Sequence, residues 1–111
     1  MEIEHWQDET GFIPYQYWIK NYLDDGARMA ESMVACLEVM HMKCKFVKDL
    51  SLEGLHELRS KSQQIRVYFF LNEDESTACI TTAGDKGSQK RDIIYSYNIM
   101  KGAKYEYSKK N

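Results

Sequence analysis

The chain has 111 residues, of which 43% are hydrophobic and 29% charged, with a formal net charge of −2. That length suits one domain, residues 1–111, able to bury a core without staples. No stretch approaches the roughly 18 apolar residues of a membrane span, and three cysteines without a spacing pattern argue against a disulfide framework.

The first residues, Met1 to His5, are acidic and lack the apolar stretch of a signal peptide, so a cytoplasmic location is expected. Residues 2–7 read as a short edge strand, and Asp8-Glu9-Thr10-Gly11 as a turn. Pro14 suits a first helical turn. Tyr15, Trp18, Ile19, Tyr22 and Leu23 follow at helical spacing, so a helix is predicted over 14–24, with Gly26 as its C-cap.

Ala30, Met33, Val34, Leu37, Met40 and Cys44 recur in steps of three and four, which predicts a second helix over about 26–43. Met29, Met33, Met40 and Met42 read as adaptable core filling. Cys36, Cys44 and His41 lie close in sequence, but no C-x-x-C or H-x-x-x-H pair accompanies them, so buried reduced thiols are expected and neither metal nor cofactor.

After Lys48-Asp49-Leu50-Ser51 the period changes from 3.6 to two. Strands are predicted over 55–59 and 65–71, joined as a hairpin by Lys61 to Gln64, and over 77–82 after the charged turn Asn72 to Ser76. Gly84 to Ser88 reads as a loop. Residues 89–103 read as a helix with Ile93, Ile94, Tyr97 and Met100 inward, and 104–111 as a polar, flexible tail. The expected architecture is therefore α+β: N-terminal helices on one face of a small, twisted antiparallel sheet, then a C-terminal helix. The second sheet face is expected to stay open to solvent or ligand.

Charge is uneven. Residues 1–54 carry 5 Lys/Arg against 10 Asp/Glu, whereas residues 55–111 carry 10 against 7, so an anionic partner would meet the C-terminal half. Within the hairpin, pairing Arg59 with Arg66 sets Glu57 opposite Tyr68 and Leu55 opposite Phe70, all six on one face. Two arginines on one face need an anion between them. Glu57 is one candidate, which makes a local Arg–Glu pair; a phosphate is the other, matched to the planar guanidinium fork. Lys86, Lys90 and Arg91 follow in the loop and helix start, where cations oppose the helix dipole and a purely stabilising role is unconvincing. Together these cations would bind an RNA backbone, with Tyr68, Tyr95 or Tyr97 stacking on bases. The chain has no P-loop, no G-x-G-x-x-G and no G-x-S-x-G.

The segments Gly54-Leu55-His56-Glu57-Leu58-Arg59, Ile65-Arg66-Val67-Tyr68-Phe69-Phe70-Leu71 and Lys86-Gly87-Ser88-Gln89-Lys90 resemble the HigB-like, phage-derived branch of the RelE/ParE toxin superfamily over roughly residues 48–92. That branch shows a GL-x-ELR strand, an R-V-x-F strand and a lysine-rich K-K-T-Q-K loop before its last helix. This sequence departs from it at Gly87, at Thr82-Ala83 where the family often has His-Gly, and at Arg91-Asp92 where it has Thr-Pro. The resemblance implies a RelE-like fold and a type II toxin: an mRNA interferase that cleaves mRNA, usually in the ribosomal A site, without a metal. It also implies a partner, a small helix-turn-helix antitoxin. On this resemblance Arg59, Arg66, Lys86, Lys90 and Tyr95 are the catalytic candidates, and Arg91 and Tyr68 the additional RNA-binding ones. The alternative is a non-catalytic ParE-like or degenerate binding protein on the same fold, acting on gyrase or an antitoxin alone.

Overall fold

The computed structural model describes residues 1–22, 25–62 and 64–110, with side chains described through residue 103. The elements are β1 (Glu2–His5), α1 (Pro14–Asn21), α2 (Asp25–Met40), β2 (Val47–Leu52), β3 (Leu55–Arg59), β4 (Arg66–Leu71), β5 (Thr77–Gly84) and α3 (Gln89–Lys110). Short 3-10 turns at His41–Lys43 and Lys86–Ser88 precede β2 and α3 respectively. The strands form one sheet in the order β1-β5-β4-β3-β2.

The hairpin of β3 and β4 has the register expected from its alternation: Arg59 pairs with Arg66, Glu57 with Tyr68, and Leu55 with Phe70. Its opposite face carries Leu58, Val67 and Phe69, which join Met33 and Leu37 of α2, Tyr15 of α1 and Ile80 in the larger core. Pro14 opens α1, as the missing proline N–H allows at that position.

Several expectations need correction. The sheet is mixed, because β1 lies parallel to β5 while the other pairs are antiparallel. The second face is not open. Leu55, Tyr68 and Phe70 meet Met100, Ile93 and Tyr97 of α3 in a second apolar cluster, so helices cover both sides. Ile94, expected inward, is exposed. Helix α3 also continues to Lys110, through most of the stretch expected to be a flexible tail; Asn111 lies outside the described residues.

At the other end, α1 stops at Asn21, with the Tyr22 N–H donating to Trp18 O. Leu23 and Asp24, expected in that helix, lie outside the described residues. Gly26 is not a C-cap; it sits buried in the first turn of α2. A Cβ there would come within 2.6 Å of the Tyr22 ring, so glycine allows that ring to lie against the backbone.

Residues 48–51, for which no strand is predicted, belong to β2, which turns into β3 through Glu53 and Gly54 with φ of +52° and +104°. Positive φ at both central residues is the two-residue hairpin geometry that matches strand twist. Strand β5 runs two residues past its expected end. Its register with β4 shifts between Val67/Ala83 and Phe69/Ile80, which sets Thr81 and Thr82 against the single residue Tyr68. Such a bulge bends its strand and re-aims side chains. Thr81 accordingly points at α3, its hydroxyl 2.6 Å from that of Ser96, and Thr82 lines a groove beside α1.

Candidate functional site

The pairing of β3 with β4 brings Arg59 and Arg66 onto one face with Glu57 between them. Glu57 is wholly buried. Its Oε1 accepts from Arg59 Nε at 2.6 Å and also pairs with Arg59 Nη2. Its Oε2 lies 4.0 Å from Arg66 Nε and 3.5 Å from Gln89 Nε2 of α3. A carboxylate enclosed this way is tolerable because two guanidinium groups compensate its lost hydration.

Arg66 is only 7% exposed, a correction to its expected place on an open face. Its Nη1 donates to Gln64 O at 3.1 Å, while Nε has no hydrogen-bond partner among the described residues. Arg59 keeps about a third of its side chain in solvent (34%). Tyr68, expected to stack on a base, is wholly buried and presents no ring face to a ligand. Its hydroxyl is likewise unpartnered among the described residues. Burial, with Glu57 and Asp92 adding to it, holds that phenol far above its usual range.

The next strand carries the loop. Gly84 pairs with Arg66, and the 3-10 turn beginning at Lys86 follows one residue later. The Asp85 carboxylate accepts from Ser88 N at 3.1 Å, and the Ser88 hydroxyl donates to Asp92 at 2.6 Å. Gly84 is required beneath them, since a Cβ at that position would fall 2.1 Å from Asp92 Oδ2. Asp92 is 9% exposed, and burial raises its carboxyl above the ordinary aspartate value. Lys86, Lys90 and Arg91 are all exposed.

Tyr95 is not in the arginine cluster. From Gln89, which reaches Glu57, Tyr95 lies about 240° around the helix at 100° per residue. It lines a different feature, a groove of about 640 Å³ between α1 and the start of α3, floored by Thr82 and Ala83. Arg91 lines the same groove. Tyr95 sets its ring edge-on to Trp6 at 6.3 Å, and burial, with Asp8 as a lesser cause, raises its hydroxyl. The expected constellation thus divides into a buried clamp of Arg59, Arg66 and Glu57, an exposed rim of Lys86 and Lys90, and a groove with Arg91 and Tyr95.

Gln89 and Asp92 were not legible as site residues, because no local pattern marks a helix residue that reaches a neighbouring strand. The groove was equally hidden, since its walls come from distant segments. Among the described residues no group of three His, Cys, Asp or Glu is placed to hold a metal ion, and no helix is long and apolar enough to cross a membrane. No family model matches the chain, and neither characterised proteins nor solved structures give a significant match.

Proposed function

We propose that this chain is a RelE-type toxin with HigB-like features, an mRNA endoribonuclease that needs no metal and is held in check by a small helix-turn-helix antitoxin in the cytoplasm. One observation carries the proposal: Arg59 and Arg66 face each other across a hairpin, and the strand beside Arg66 leads directly into the loop bearing Lys86. The element order, two helices between β1 and β2 and a third after β5 on a mixed five-stranded sheet, is that of an α+β fold, and the RelE-like arrangement is part of this proposal.

In this mechanism a ribose 2'-hydroxyl attacks the adjacent phosphorus in line. The new 2'-O–P bond forms as the P–O5' bond breaks, leaving a 2',3'-cyclic phosphate and a 5'-hydroxyl. Arg59 and Arg66 stabilise the extra charge of the pentavalent state, each such contact being worth roughly two to three orders of magnitude in rate. Lys86 or Lys90 assists by charge and by proton transfer. Glu57 occupies the space between the arginines in the resting protein, so Arg59, the more exposed, is the first to meet a phosphate.

Induced expression in a bacterium, followed by primer extension on an abundant mRNA, tests this. Cuts phased to codons are expected, and they should vanish in Lys86→Ala/Lys90→Ala, whose exposed side chains contribute little to folding. Co-expression with neighbouring reading frames should recover the antitoxin as a complex. The buried, internally neutralised state of Arg66 favours one alternative, a non-catalytic binding protein on this fold; growth arrest with DNA-damage induction and no mRNA cuts would support it.

A further inference from the structure

Four of the seven large hydrophobic side chains exposed among the described residues border the groove between α1 and α3: Phe12 at 42%, Tyr17 at 58%, Tyr22 at 36% and Tyr95 at 41%. They are all rings. Phe12 lies against Tyr17 at 5.5 Å, and Trp18 stacks on Tyr22 at 4.6 Å, so two ring pairs from the α1 segment line the groove together with Tyr95 of α3. Partly exposed rings lining a groove are suited to flat, unsaturated ligands, as in single-strand binding, where bases stack on aromatic side chains.

The groove adjoins the clamp. Ala83 and Asp85 both line it, and the residue between them, Gly84, is the strand partner of Arg66. Ala83 pairs with Val67 on the sheet face opposite the clamp, so an RNA chain with its phosphate at the clamp would pass around β5 beyond Ile80, where the pairing with β1 ends, to set a neighbouring base in the groove. Arg91 lines the groove beside Asp85 and Asp92, and the exposed Lys86 and Lys90 of the adjoining turn and helix start add the positive charge such a backbone needs.

The groove also holds a selective acceptor. Asp85 Oδ1 is occupied by Ser88 N, whereas Oδ2 meets, among the described residues, only the Tyr22 hydroxyl, at 3.4 Å. A carboxylate accepts hydrogen bonds and donates none, so it pairs with an exocyclic amine such as cytosine N4. Uracil has no exocyclic amine, and its one edge donor, N3–H, is flanked by two carbonyl oxygens that repel a carboxylate.

We propose, resting on the ribonuclease proposal above, that this groove is a base-reading subsite. It takes one unstacked RNA base next to the phosphate at the clamp, stacks it on the rings that line the groove, and selects amine-bearing bases over uracil through Asp85.

The test is fluorescence anisotropy of the full chain with labelled rC4 and rU4 tetranucleotides at low salt, the two pyrimidines differing in the amine. Tighter binding of rC4, by roughly tenfold, is expected from one good hydrogen-bonded pair. Tyr17→Ala should weaken rC4 by about ten- to a hundredfold, the cost of one lost stacking platform. Tyr95→Leu serves as an independent second variant, with circular dichroism confirming both folds. Asp85→Asn, which retains a good capping side chain, should bring rC4 and rU4 to within about threefold through loss of the acceptor-only group.

Equal binding of the two oligonucleotides by the wild type, or no binding of either, overturns the subsite. If Lys86→Ala abolishes mRNA cleavage while Tyr17→Ala and Tyr95→Leu alter neither cleavage nor binding, the subsite falls and the ribonuclease proposal stands. If mRNA is never cut but rC4 binds with the expected dependence, the ribonuclease proposal falls instead. A neighbouring gene's protein that binds the wild type, is lost on Tyr17→Ala and leaves the oligonucleotides unbound would assign the groove to protein docking.

Discussion

Glu57→Ala isolates the interaction on which the clamp rests. Glu57 is wholly buried, and Arg66, 7% exposed, has its Nε 4.0 Å from Oε2. At that separation and an effective dielectric near 20, the attraction between unit charges is about 4 kcal/mol. Arg59 contributes less per charge, because a third of its side chain is solvated and screened. Deleting the carboxylate leaves Arg66 buried without a counter-charge, which typically costs about 3–5 kcal/mol. Against a total stability of about 5–15 kcal/mol, that is a large fraction. With a urea slope near 2 kcal/mol per molar, the unfolding midpoint should fall by about 2 M. The double variant Glu57→Ala/Arg66→Leu should recover much of the loss, since an apolar replacement of a buried ion pair is often neutral. A shift below about 0.5 M for the single variant, or no recovery in the double, would refute the claim that Glu57 compensates a buried guanidinium.

Gly84→Ala should cost about 1–3 kcal/mol by overpacking, because its Cβ would meet Asp92 Oδ2 at 2.1 Å and Ser88 Oγ at 2.4 Å; an unchanged thermal midpoint would contradict this. Burial lowers His5 and His56 from the ordinary value of 6.5, so the unfolded chain takes up protons first as pH falls. Their contribution is present above pH 6.5 and is lost as pH drops through the folded values; urea midpoints at pH 7 and 5 should show it, and His56→Gln should flatten the change. Burial pushes the Cys44 and Cys79 thiols up to about 11, so iodoacetamide should label neither appreciably at pH 7 in the folded protein, and both in urea. Tyr95→Phe should leave mRNA cleavage nearly unchanged, because the hydroxyl lies in the groove and not at the clamp; a hundredfold loss in a single-turnover assay would restore Tyr95 as a proton donor.

The hairpin was fully legible because strand alternation is strict. Once Arg59 was set against Arg66, a period of two fixed every other pair, down to His56 stacking on Phe69 at 5.3 Å. Strand β2 was missed because Lys48, Asp49 and Ser51 look like a polar connection, and Glu53-Gly54 is not one of the strong hairpin dipeptides. Its burial pattern shows the reason: an outer strand keeps half its residues in solvent and so carries little apolar signal. The parallel pairing of β1 with β5 was invisible for another reason, since it joins segments more than 70 residues apart and leaves no local trace.

What alternation cannot report is whether a polar face is covered. Arg59, Glu57, Arg66 and Tyr68 read as a solvent-facing stripe, and residues of that kind are mostly exposed. All but the partly exposed Arg59 are enclosed, because α3 lies across the same face, anchored by Met100 on Leu55, Tyr68 and Phe70 and by the Ser96 hydroxyl on Thr81. Enclosure changes the chemistry as well as the burial. It forces the two arginines to share an internal carboxylate, and it directs what remains accessible to the rim lysines and the groove. The helix that hides Tyr68 also turns Arg91 and Tyr95 outward toward α1, because residues two and six positions after Gln89 fall on the opposite side of its axis. One helix thus closes the face that the strand pattern advertised and builds a second surface, at the edge of β5, that no single segment of the sequence contains.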